Sequence, residues 1–113
     1  MEIKENEFIR TKTGKIDKVI NNNYYMSQYI ECEKRIVEKE YIVKHSFNII
    51  DLIEDKDIIK VKTKENAILM IGFDEKTIDI KYKEIIEEIE NGEYELLEIL
   101  THEQYERNCY KIN

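Results

Sequence analysis

Between Val43 and Val61 the chain reads VKHSFNIIDLIEDKDIIKV, and the spacing of its apolar positions changes along that stretch. Tyr41-Ile42-Val43 is a short strand-like run. Ser46 can cap the turn that follows, because a serine hydroxyl accepts a backbone N–H at the start of a helical turn. Ile49, Ile50, Leu52 and Ile53 then recur on one side of a short helix. Glu54-Asp55-Lys56-Asp57 is a polar turn, and Ile58, Ile59 and Val61 predict a β-branched strand. Strand, helical turn and returning strand make a compact unit against which the rest of the chain packs. Ile50, Ile53, Ile59, Leu69 and Ile71 are the expected core.

On the N-terminal side, Glu7 to Lys12 predicts a strand and Lys15 to Ile20 its antiparallel return. Thr13-Gly14 is the turn between them, where a glycine can take the positive φ that a tight hairpin needs. Tyr24 to Glu31 is rich in strand formers, and Glu33 to Lys39 reads as a charged turn around Ile36-Val37. On the C-terminal side, Ala67 to Phe73 is seven residues without a charge. That pattern predicts a central strand buried on both faces. Ile78 to Tyr82 alternates as a strand. Ile85, Ile86 and Ile89 shift to helical spacing, ended by Asn91-Gly92. Tyr94 to Leu100 is again extended. Thr101 with Gln104 has the spacing of a capping box opening the short helix HEQYERN, and Tyr110-Lys111-Ile112 reads as a last edge strand.

Six or seven short strands with two or three short helices, punctuated by turns, predict a mainly β (α+β) fold. The pattern is that of a small SH3-like β-barrel. At 113 residues the expectation is a single domain over 1–113. The opening MEIKENEF lacks the apolar core of a secretory signal, and no run approaches a membrane span. A cytoplasmic protein without membrane contact is therefore expected, with Cys32 and Cys109 as free thiols.

Charge changes the picture more than composition does. The net charge is −7, and it is uneven. Residues 1–62 balance twelve bases against twelve acids, whereas 63–113 carry six bases and thirteen acids. Glu84 to Glu106 holds nine glutamates and no lysine or arginine. Such a field attracts a basic protein surface and repels nucleic acid. Glu84, Glu87, Glu88, Glu95 and Glu98 are the candidate partner-binding residues, weighed against a merely solubilising face. The alternative site is the N-terminal hairpin. Arg10, Lys12, Lys15 and Lys18, followed by Tyr24, Tyr25 and Tyr29, interleave cations and aromatics as a nucleic-acid or nucleotide binder does. The overall acidity counts against direct nucleic-acid contact.

Catalytic and metal patterns are thin. His45, Ser46 and Asp51 lack a nucleophile elbow and read as strand end, cap and solvent-facing acid. Cys32, His45, His102 and Cys109 have no zinc-finger spacing. No phosphate loop is present. The expectation is a non-enzymatic protein with no metal and no cofactor.

Three segments together resemble a group of small proteins encoded by phages and prophages of Gram-positive, AT-rich bacteria: FIRTKTGKIDKV (Phe8 to Val19), IVKHSFNIIDLIE (Ile42 to Glu54) and ILTHEQYERNCYKI (Ile99 to Ile112). The chain departs from that pattern at Asp55-Lys56, where a glycine-containing turn is usual, and in 82–98, which reads as an acidic insertion. The resemblance implies a phage or prophage protein acting in the cytoplasm of a bacterial host. It implies an inhibitor of a host defence system, of the anti-CRISPR kind, whose partner would be a basic or nucleic-acid-binding protein such as a CRISPR effector.

Overall fold

The computed structural model describes residues 2–22, 28–74 and 78–108. The chain divides into two compact units, Met1–Leu52 and Ile53–Asn113. The fold is mainly β, with two antiparallel sheets and two α-helices among the described residues.

The first unit contains β1 (Phe8–Thr11), β2 (Ile16–Asn21), β3 (Tyr29–Cys32), β4 (Ile36–Glu38) and β5 (Ile42–Ser46). They form one sheet in the order β4-β3-β2-β1-β5. The β1–β2 hairpin forms as expected. Thr11 N–H donates to Lys15 O at 2.9 Å, and Gly14 takes φ 78° between them. Ile9, Val19, Ile30, Cys32, Val37 and Ile42 point inward with Ile3 and form the core of this unit. The turn expected around Ile36-Val37 is instead strand β4, because Val37 has a buried place in that core. A 3-10 turn (Lys39–Tyr41) links β4 to β5, and a second (Ile49–Leu52) follows β5. Ser46 Oγ accepts the Asn48 N–H at 3.1 Å and donates to Asp51 Oδ2 at 2.6 Å, while the cap of the turn itself is Asn48, whose Oδ1 accepts the Ile50 N–H at 3.2 Å.

The second unit contains β6 (Ile58–Thr63), β7 (Ile68–Gly72), α1 (Ile78–Glu90), β8 (Tyr94–Leu100) and α2 (His102–Asn108). The sheet order is β7-β6-β8. The expected central strand is therefore an edge: β6 takes the middle, and uncharged β7 pairs on one side only. Ile59 is fully buried, as are Ile50 and Ile53 to within a few per cent, but Leu69 is 38% exposed and Ile71 is half-buried. Ile78 to Tyr82 is the opening of α1 rather than a strand. Buried Ile85, with half-buried Tyr82, Ile86 and Ile89, gives the segment one continuous helical face, and α1 packs against β8. Asn91-Gly92 ends the helix, with Gly92 at φ 77°. Tyr110 to Ile112 lies outside the described residues.

Candidate functional site

The acidic run does not stay together once folded. In the β7-β6-β8 sheet, one face carries three cross-strand rows: Gly72-Ile58-Leu100, Met70-Lys60-Glu98 and Ile68-Lys62-Glu95. Glu98 thus meets Lys60 at 3.5 Å, and Glu95 stands opposite Lys62. Glu93 pairs with Lys64 at 2.9 Å, which raises the Lys64 pKa through that hydrogen bond. Strand β6 and the turn after it therefore supply counter-charge that the run itself lacks.

Glu84, Glu87 and Glu88 behave differently. They recur at i, i+3 and i+4 on α1, so they share one side of the helix. Glu84 and Glu87 are exposed and Glu88 is half-buried. None of the ion pairs among the described residues involves them. Lys81, one turn before Glu84, donates from Nζ to the Gly72 carbonyl at 3.1 Å instead. The structure thus sorts the five expected carboxylates into three on a helix and two on a strand opposite lysines of β6, of which Glu98 is ion-paired. In the same unit, β7 leaves Ile68 55% and Met70 61% exposed, with Leu97 and Leu100 also exposed on β8.

The basic hairpin is sorted too. Arg10 is fully buried and donates from Nη1 to Leu52 O at 2.8 Å, so it belongs to the core and not to a binding surface. Lys18 lies over the Phe8 ring at 5.7 Å. Lys12 and Lys15 line a groove of about 280 Å³ together with Tyr29, Arg35, Glu38 and Tyr41, and the Lys12 ammonium sits 5.5 Å from the Tyr41 ring centroid. Sequence reasoning placed Tyr29 with the hairpin cations but missed Arg35 and Tyr41 as groove residues. They lie well downstream of the hairpin, and only the pairing of β2 with β3 and β3 with β4 brings Tyr29 and Arg35 to it. Tyr24 and Tyr25 lie outside the described residues.

His45 does not join Ser46 and Asp51. Its Nδ1 lies 3.0 Å from buried Glu7 Oε1, while Ser46 engages Asp51. Cys32 is buried in the core of the first unit, and Cys109 lies outside the described residues. Among the described residues, one set of three metal-ligating side chains converges: Glu54, His102 and Glu103. No helix among them is long and apolar enough to cross a membrane.

Comparison with family models, with curated proteins and with solved structures finds no match for this chain. What stands is a mainly β protein of two compact units, one carrying a cationic aromatic groove and the other an acidic helix and an open apolar strand.

Proposed function

We propose that the chain is a non-enzymatic, protein-binding inhibitor of phage or prophage origin that acts in the bacterial cytoplasm against a host defence protein, with a CRISPR effector as the type of target. The observation that carries this reading is that one unit presents both exposed carboxylates, Glu84 and Glu87 beside half-buried Glu88 on α1, and exposed apolar side chains, Ile68 and Met70 on β7. Exposed apolar surface on a charged unit is what a protein-binding surface offers. The carboxylates steer a basic partner and the apolar strand supplies contact area. The three phage-like segments support the origin. The SH3-like barrel is our reading of the first unit: the β4-β3-β2-β1-β5 order, with a 3-10 turn between β4 and β5, supports it.

A second reading rests on the groove. Lys12, Lys15 and Arg35 with Tyr29 and Tyr41 offer cations and aromatic faces to a phosphate-bearing base, which makes a nucleotide or single-stranded nucleic acid the alternative ligand.

One experiment separates the two. The tagged chain is used to capture partners from a bacterial lysate, with and without nuclease. It is compared with a Glu84→Gln, Glu87→Gln, Glu88→Gln variant and a Lys12→Gln, Lys15→Gln, Arg35→Gln variant. A nuclease-resistant protein partner, lost with the glutamates and kept without the cations, supports the inhibitor. Loss with the cations, or with nuclease, overturns it in favour of the groove.

A further inference from the structure

We infer that Glu54, His102 and Glu103 form a binding site for a zinc-class divalent cation in the second unit. His102 Nε2 lies 3.7 Å from Glu54 Oε1 and 3.4 Å from Glu103 Oε1. One donor atom from each of the three fits within a 4.8 Å span. Ligands held at about 2.0–2.1 Å around a tetrahedral zinc stand about 3.4 Å from one another. The set is therefore close to coordination spacing already. One imidazole nitrogen and two carboxylate oxygens suit zinc better than magnesium or calcium, which favour all-oxygen shells.

The backbone around the set is fixed by a residue outside it. Asp57 is fully buried, and its carboxylate holds both ligand-bearing segments. Oδ1 accepts the His102 N–H at 2.8 Å, and Oδ2 accepts the Glu54 N–H at 2.8 Å. The Glu54–Asp57 turn is closed by Asp57 N–H donating to Glu54 O at 3.1 Å. A buried carboxylate that ties the turn carrying one ligand to the first turn of the helix carrying two others does what outer-shell groups do at metal centres: it sets ligand orientation before the ion arrives. Glu54, His102 and Glu103 are all partly exposed, so an ion has access and a water can complete the shell.

The chain holds two histidines, which gives the test an internal control. Zinc chloride is titrated into the full chain while the imidazole ring resonances are followed by NMR and the heat by calorimetry. The site predicts that the His102 resonances move and saturate at one equivalent while those of His45, engaged by Glu7, stay. Glu54→Gln, Glu103→Gln and His102→Asn should each weaken zinc by about tenfold or more, and Cys109→Ser should leave it unchanged. Unchanged ring resonances of Tyr94, on β8 of the same unit, report that each variant remains folded. Titration without saturation, parallel movement of both histidines, or wild-type zinc affinity in the three variants would reduce the cluster to an ion pair of His102 with its carboxylates and overturn the inference. So would loss of binding in Cys109→Ser.

Discussion

Arg10 reaches across 42 positions of sequence to donate from Nη1 to the carbonyl oxygen of Leu52 at 2.8 Å. Through that bond a fully buried guanidinium fastens the 3-10 turn Ile49–Leu52 to β1. Arg10→Ala removes the donor from a buried carbonyl and leaves a space behind. The expected loss is about 2–4 kcal/mol, from a charged hydrogen bond plus an unfilled cavity. Lys12→Ala, two residues away on the exposed side, should change stability by no more than about 0.5 kcal/mol. Urea denaturation of the two variants checks this, and equal midpoints would show that Arg10 is not a structural strut.

Glu7 makes the chain sensitive to acid. Burial pushes the Glu7 carboxyl up, but the Lys4 backbone N–H at 2.7 Å and the His45 ring together outweigh it, so its pKa falls below the ordinary 4.5. The folded chain thus keeps Glu7 ionised at a pH where the unfolded chain protonates it. Its contribution is complete above about pH 4.5 and is lost as pH falls through the lower folded value. Glu7→Gln should be less stable than wild type near neutrality, and the gap should close as the medium is acidified. Denaturation midpoints taken between about pH 6 and about pH 3 decide it. A gap that stays constant over that range would remove Glu7 from the acid response.

Much of the local structure was legible in the sequence, and most of the pairing was not. The Gly14 hairpin, β6, β8 and the Asn91-Gly92 stop each follow from residues within a few positions of one another. The edge position of β7 does not. An uncharged run such as Ala67 to Phe73 fits a central strand, but position in a sheet is decided by partners, and β6 accepts both neighbours here. The opening of α1 was ambiguous because Ile78, Ile80 and Tyr82 satisfy a period of two, and only Ile85 and Ile89 further on extend them to a helix. The acidic run misled for the same reason. Its counter-charges, Lys60 and Lys62, lie far upstream and meet Glu98 and Glu95 only through strand register. Their alternation with buried Ile59 and Val61 was the available sign that β6 has a basic outer face able to receive an acidic strand.

Cys32 should resist alkylation in the folded protein. Burial, then the nearby Asp17 carboxylate, push its thiol up to about 11, which the Arg35 charge only partly opposes. The thiolate is the reactive form, so little of it exists at mildly alkaline pH, and the side chain is nearly inaccessible as well. In a Cys109→Ser background, Cys32 should react with iodoacetamide only at the rate of unfolding, and at the rate of a free thiol once urea is added. Prompt reaction without denaturant would place the thiol at the surface.

The unequal burial of β6 and β7 gives the sharpest check on the second unit. Ile59 and Leu69 lie on the same face of the same sheet, in adjacent strands, with Ile59 opposite Ile71 and Leu69 opposite Val61. Ile59 is fully buried in the middle strand, whereas Leu69 stands 38% exposed on the edge. Truncating a fully packed aliphatic side chain to alanine costs about 2–5 kcal/mol, because the cavity adds to the lost transfer energy. At an open edge no closed cavity forms and part of the side chain is already in water, so Leu69→Ala should cost only about 1 kcal/mol. A sheet with β7 in the middle would give both residues the larger value. Chemical denaturation of the two single variants, each referenced to wild type, therefore reads strand order directly: a large loss for Ile59 with a small one for Leu69 supports β7 as an edge, and equal large losses would move it to the centre.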